Sequence, residues 1–383
     1  MHPFDYQLTT RLVFGPGRIA QLGELAKEFG ARRVLVVSDP GIIKAGHTQH
    51  GVDALQSAGL EVLVDDNVGE NPTTAHVEAG TRVAREFKPD LIVGLGGGSS
   101  MDCAKGINFL YSCGGRMQDY WGIGKATGPL LPMIAVPTTA GTGSEAQSFA
   151  LISDAETHVK MACGDKRAAC RIALLDPELT ATQPQRVTAL TGIDAIAHAL
   201  ETYVTTKRNF MSVLYSREAW RLLETNFVRV LQQPTDLEAR SGMQLGAFLA
   251  GTAIENSMLG ATHALANPLT ARYDVPHGEA IALMLPHVIR YNGQVHKDWY
   301  CELLAYVSGR NGAPKVSAGS DGLADFVSQM SAAAGLPAKL SARGVDEAQL
   351  PSLAEDAAKQ WTGTFNPRKV GAPELLELYR AAY

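Results

Sequence analysis

The sequence predicts an α/β domain followed by an all-helical domain, on three observations. Short β-branched runs alternate with helical stretches from residue 31 onward, and those runs are apolar almost throughout. Beyond residue 180 only helical periodicity continues. The boundary is placed near residue 180, giving domains 1–180 and 181–383.

In chain order, the strand candidates are 33–38 (RVLVVS), 61–64 (EVLV), 91–95 (LIVGL), 133–136 (MIAV) and 172–175 (IALL). Between them, 49–58 and 74–87 carry apolar residues at helical spacing. This alternation implies βαβ units, hence a parallel sheet with helices on both faces, and strands buried on both faces read as continuous apolar runs. After the turn Asp176-Pro177 come the helical stretches 187–205, 211–231, 236–254 and 279–291, without strand companions. An active site in the cleft between the two domains is expected, because ligand sites commonly form there.

Composition narrows the function. A chain of 383 residues with 45% hydrophobic and 19% charged residues buries one large core or two moderate ones. The net charge of -5, with lysines and arginines scattered, gives no basic field for nucleic acid. The start has no charged leader followed by an apolar stretch, and no apolar run approaches ~20 residues, so a cytoplasmic protein without a membrane partner is expected. The five cysteines include no C-x-x-C pair, which points to buried free thiols rather than disulfides or a thiolate zinc site.

Directly after strand 91–95 comes Gly96-Gly97-Gly98-Ser99-Ser100-Met101-Asp102-Cys103-Ala104-Lys105. A glycine turn opening into a helix N-terminus makes a pyrophosphate cradle, with outward N–H groups and a favourable dipole. Ser99 and Asp102 have the spacing of a capping box. The plainer alternative is a tight turn needing glycines only for its backbone angles. A second loop, Pro137 to Glu145, is rich in hydroxyls and suits the lining of a cofactor or substrate.

Asp39, at the carboxyl end of strand 33–38, is placed to accept hydrogen bonds from ribose hydroxyls and to repel a 2′-phosphate, which predicts NAD rather than NADP. A turn or helix-capping role before Pro40 is the alternative. The acid precedes the glycines here, whereas the usual dinucleotide fingerprint has it follow them by ~20 residues, so a different nucleotide fold is implied.

In the helical half, Asp194 and His198 lie four apart and so share one helix face. They can bond each other in the core or hold a metal. His263 and His277 both sit among small and apolar residues, where an unpaired imidazole is costly. One carboxylate and three imidazoles make a coordination set for a divalent first-row metal with a position left for water or substrate. The structural alternative requires three separately satisfied core histidines.

At these segments the chain resembles the iron-containing, or group III, alcohol dehydrogenase family, in the neighbourhood of lactaldehyde reductase and the methanol and butanol dehydrogenases. The resemblance runs end to end through FGPG (14–17), NPT (71–73), GGGSSMDCAK, PTTAGTGSE, DPELT, GIDAIAHALE, THALANPL, YDVPHGEA, LPHVIRYN and NPR (366–368). It implies a dehydroquinate-synthase-like fold with an N-terminal dinucleotide domain and a helical metal domain. It also implies metal ligation by Asp194, His198, His263 and His277, with Fe2+ as the family metal and Zn2+ or another divalent ion acceptable to the same donors. Gly97, Gly98 and Ser99 are assigned by it to the pyrophosphate, Asp39 to the ribose, and Thr138, Thr139 and Lys160 to the cofactor. Around the substrate it places Asn71, Phe149, Ile254 and Thr362, whose modest polarity suits small primary alcohols or short diols and their aldehydes.

Where much of the family has a second histidine thought to help relay the proton, four residues after the third ligand, this chain has Asn267. A neutral amide cannot shuttle a proton as imidazole does. Water and cofactor ribose hydroxyls then carry it, or the reaction is slower or directed to another substrate. The rival readings are a dehydroquinate-synthase-like non-redox enzyme, a metal-free relative such as a maleylacetate reductase, and a non-catalytic dinucleotide-binding subunit or sensor. A homodimer or larger homo-oligomer is expected.

Overall fold

The computed structural model describes residues 3–308 and 317–383. The chain divides into two compact units, one of residues Gln7–Gln183 and one of Pro184–Tyr383 joined by the N-terminal residues up to Tyr6.

The first unit holds all nine strands of the described residues. These are β1 (Arg11–Phe14), β2 (Arg33–Val37), β3 (Glu61–Asp65), β4 (Leu91–Gly96), β5 (Gly122–Ile123), β6 (Met133–Pro137), β7 (Phe149–Ser153), β8 (Lys160–Gly164) and β9 (Ile172–Leu175). Its helices are α1 (Leu22–Lys27), α2 (Pro40–Lys44), α3 (His47–Ser57), α4 (Thr74–Phe87) and α5 (Gly98–Cys113). Six strands form a parallel sheet in the order β1-β9-β6-β4-β2-β3. Alternate residues feed two cores: Leu35, Val37 and Ile92 pack with Val77, Met101 and Ile107 from α4 and α5. Val34, Val36 and Val93 pack with Leu22, Leu25 and Leu55 from α1 and α3. The period of two therefore explains why both faces of each strand had to be apolar.

The chain leaves β2 for β3 on one side and returns to β4 on the other. The carboxyl ends of β2 and β4 thus flank a switch point, the usual place for a ligand in such sheets. Asp39 follows β2 and Gly97 follows β4.

The sequence reading did not anticipate edge strand β1 or the smaller sheet β5-β8-β7, in which β7 and β8 are antiparallel. All five cysteines are free.

The second unit is helical: α6 (Gln185–Val204), α7 (Phe210–Gln232), α8 (Leu237–Glu255), α9 (Ala261–Tyr273), α10 (His277–Gly293), α11 (Lys297–Ser308), α12 (Gly319–Ala333), α13 (Leu350–Ala358) and α14 (Ala372–Ala382). Helix α6 is enclosed along most of its length, with Ile193, Ala195, Ile196, Ala197 and Ala199 fully buried. It carries polar groups into the interior on a rigid scaffold. Among the described residues, no helix is long and apolar enough to cross a membrane.

Candidate metal and cofactor sites

Asp194 and His198 project from one face of α6, His263 stands in the first turn of α9, and His277 opens α10 after Pro276. Three imidazole nitrogens converge on one carboxylate oxygen. Asp194 Oδ1 lies 3.4 Å from His198 Nε2, 3.4 Å from His263 Nε2 and 3.6 Å from His277 Nε2. The rings of His198 and His263 stack with centroids 4.9 Å apart. Asp194, His198 and His263 are buried, whereas His277 is partly open.

These separations are long for hydrogen bonds, which cluster at ~2.7–3.2 Å for N–H···O. They are near the ~3.4 Å edge between donors that each sit ~2.1 Å from a shared metal, and among the described residues Asp194, His263 and His277 bring one donor atom each within 4.8 Å of one another, a grouping that does not take in His198. Asp194 Oδ1 and His263 Nε2 are buried with no hydrogen-bond partner, a costly arrangement unless a further group satisfies both. The residues present therefore fit a divalent cation.

Electrostatics agree with that fit. Burial opposes ionisation of Asp194, but the three imidazoles outweigh it and hold the carboxyl well below its usual range. Burial likewise disfavours a charged His263, yet Glu201 and Asp194 push its pKa up to about 9.

Glu201, one further position along the same α6 face, was not singled out in the sequence. Its Oε2 lies 2.5 Å from His263 Nδ1 and accepts from Gly260 N at 3.1 Å, while Oε1 accepts from Thr262 N at 2.6 Å. Burial raises its pKa, and His263 with the Thr262 donors brings it below the ordinary value. The spacing of seven from Asp194 and three from His198 was the available clue. Asn366 completes the α9 start, accepting from Ala261 N and exchanging hydrogen bonds with Asn292.

Asn267 is one turn beyond His263, and its Nδ2 donates to Gln360 Oε1 at 2.9 Å. The turn Trp361–Phe365 follows directly and lies on α9, where a Cβ at Gly363 would stand 3.3 Å from Ala264 Cβ. Thr362 in that turn is buried with an unpartnered Oγ1, and Ile254 is buried near the end of α8.

In the first unit, Gly96 has φ +155°, and a Cβ there would lie 2.3 Å from Ser100 Oγ, so only glycine fits. Helix α5 then starts at Gly98, with Gly97 as its N-cap and no side-chain cap. The capping box expected from Ser99 and Asp102 is therefore not formed, because Asp102 falls a turn inside the helix. It is buried instead, accepting from Ser144 Oγ at 2.5 Å and Leu151 N at 3.2 Å. Lys105 beside it donates to Ser144 O, Ser144 Oγ and Phe149 O. These bonds brace α5 against the 138–151 segment.

The uncapped N-terminus faces that segment closely. A Cβ at Gly97 would lie 3.4 Å from Thr139 Cγ2, and one at Gly98 2.7 Å from Thr142. Thr138 N donates to Gly96 O at 2.9 Å, and Thr138 Oγ1 is buried without a partner. Asp39 caps α2 through Gly41 N and Ile42 N and accepts from Ser100 Oγ at 3.0 Å, which ties the end of β2 to the glycine turn. Its capping role is thus realised, and a carboxylate's remaining lone pairs are still available to a ribose. Lys160 is exposed at the start of β8, near enough for its charge to act on Asp102. Asn71 is exposed in a left-handed backbone conformation, φ 52°. Phe149 is half-buried, with its ring over Gly164.

The family description "Iron-containing alcohol dehydrogenase" matches residues 9–177, and that for the C-terminal part of the Fe-containing alcohol dehydrogenase family matches residues 188–383. The chain belongs to the iron-containing alcohol dehydrogenase family. It is 35% identical over 382 residues to the 1,3-propanediol dehydrogenase of Citrobacter freundii, covering 99% of both chains. A solved 1,3-propanediol oxidoreductase superposes with a TM-score of 0.93 at 34% identity and full coverage of both chains. The sulfoacetaldehyde reductase of Bifidobacterium kashiwanohense, solved in complex with NAD+, gives a TM-score of 0.89 at 25% identity, covering 100% of this chain and 99% of that one. As an iron-containing alcohol dehydrogenase the chain is a metal-dependent, nicotinamide-linked oxidoreductase, which favours this reading over the non-redox and non-catalytic ones.

Proposed function

We propose that the chain interconverts small primary alcohols or short diols and their aldehydes, using NAD(H) and Fe2+. Asp194, His198, His263 and His277 would hold the metal. The observation that carries this reading is the convergence of three imidazole nitrogens within 3.4–3.6 Å of one buried Asp194 oxygen. Zn2+ or another divalent ion suits the same donors.

When bound, the metal supplies Lewis acidity and the nicotinamide carries the hydride. The chain's residues hold and orient. One carboxylate among the four ligands leaves a divalent ion with net positive charge for polarising an oxygen. Gly97, Gly98 and Ser99 would present the start of α5 to the pyrophosphate, with Thr138, Thr139 and Lys160 alongside and Asp39 at the adenosine ribose, its charge disfavouring a 2′-phosphate. Asn71, Phe149, Ile254 and Thr362 would bound the substrate, and the unpartnered Thr362 hydroxyl suits a polar group such as a second hydroxyl. Asn267, engaged with Gln360, orients the 360–365 turn and carries no proton. Domains 1–180 and 181–383 would supply cofactor and metal functions respectively, in a cytoplasmic homodimer or larger homo-oligomer.

Metal-stripped protein assayed with a panel of alcohols and aldehydes, following reduced nicotinamide near ~340 nm, tests the proposal. Activity should return with Fe2+ and prefer NAD to NADP. Full turnover without metal would overturn it.

A further inference from the structure

Resting on the metal reading above, we propose that Glu201 is the positioning residue of the metal centre: it fixes His263 in the tautomer whose Nε2 lone pair faces Asp194. An imidazole can ligate through Nε2 only if Nε2 carries no proton, and in the neutral ring the proton must then sit on Nδ1. A carboxylate accepts and does not donate. With Glu201 Oε2 2.5 Å from His263 Nδ1, the proton of that bond belongs to Nδ1. The carboxylate is itself held by Gly260 N and Thr262 N, the N-terminal amides of the helix that bears His263. It therefore sets both the ring's rotation and the seat of α9 beneath it. Asp194 and Glu201 stand on one face of α6, so a single rigid helix supplies a ligand and the group that aims another.

Glu201→Gln changes this logic without changing size. Whichever way the amide turns, its NH2 replaces an oxygen that now accepts from an N–H, either from Thr262 or from both Gly260 and His263. The metal-stripped full chain would be titrated with Co2+, reading the dissociation constant and the visible d–d spectrum, for the unmodified chain, Glu201→Gln and Asn366→Ala. Asn366→Ala loosens the α9 start through Ala261 N and leaves the imidazole bond intact. The expected result is a dissociation constant raised about 10–100-fold in Glu201→Gln, with a shifted spectrum, and little change in Asn366→Ala. Should Glu201→Gln fail to fold, Glu201→Asp carries the same comparison, keeping the charge but shortening its reach by a methylene. The proposal is overturned if the Glu201 variant binds Co2+ within threefold of the unmodified chain with the same spectrum. Equal losses in Asn366→Ala also overturn it, because helix position alone would then account for the effect. Failure of the unmodified chain to bind Co2+ at all would instead remove the metal reading itself.

Discussion

Replacing Gly278 by alanine probes how the four candidate ligands are brought together. Helix α10 crosses α6 so closely that a Cβ on Gly278 would stand 2.1 Å from Leu190 O, 2.7 Å from Leu190 C and 2.9 Å from Leu190 Cα. These are backbone atoms of a buried helix, so no side-chain rotation relieves the overlap. Restoring even a 3.0 Å contact moves α10 away from α6 by about 0.9 Å. His277 is the adjacent residue, and its Nε2 is 3.6 Å from Asp194 Oδ1. Metal–ligand distances tolerate only about ±0.2 Å, so the variant should bind Co2+ or Zn2+ at least ~10-fold more weakly. Overpacking should also cost about 1–3 kcal/mol. Metal titration and thermal melting of the metal-free protein would read the two effects separately. If Gly278→Ala binds metal as the unmodified chain does and melts within a degree of it, the reasoning that α6–α10 contact sets the His277 position is wrong.

His263→Ala should abolish metal binding and activity together; retained turnover with an emptied site would remove His263 from the ligand set. The metal-free protein should also show a proton linkage. Although burial opposes it, Glu201 and Asp194 raise the His263 pKa to about 9, above the ~6.5 of an unfolded imidazole. That stabilisation is fully present below pH ~6.5 and is lost as pH rises through about 9. Metal must displace the same proton, so affinity should rise about tenfold per pH unit across that window. Titrations at pH 7 and 8 check this, and equal affinities would count against it. Asn267→His should add an ionisation near pH ~6–7 to the kcat profile; superimposable profiles would mean that position 267 has no bearing on proton transfer.

What the sequence made legible follows from how strongly each local pattern constrains its residues. Val34, Leu35, Val36 and Val37 face two cores in alternation, and no polar residue can interrupt such a strand, so β2 stands out. Gly122–Ile123 is a two-residue strand with Ile123 exposed, and edge strand β1 is half-open, so neither carries a periodic signal. Ser99 and Asp102 have a capping spacing, whereas Gly96 and Gly97 let α5 begin two residues earlier, with Gly97 as N-cap, and turn Asp102 inward. Asp194 and His198 were legible as a pair because four residues are one helical turn. Their convergence with His263 and His277 is set by packing between distant helices, in which the absence of a side chain at Gly278 matters as much as any donor. Local spacing holds no record of that; the cost of an unpaired imidazole among small and apolar residues marks His263 and His277 as further candidates, and the resemblance to a known family implies the full set.

The charges of this cluster also bear on which occupant it suits. Asp194 and Glu201 are both buried, and both are held ionised by their neighbours, so two negative charges lie in a largely dehydrated volume. A proton on His263 offsets only one of them. A divalent cation offsets both, and it satisfies the two buried atoms, Asp194 Oδ1 and His263 Nε2, that find no hydrogen bond. A monovalent ion would leave a net charge, and a trivalent one would introduce the opposite excess. With Glu201 ionised as well, a divalent metal would bring the two buried carboxylates to charge balance, whereas Glu201→Gln would leave one excess positive charge.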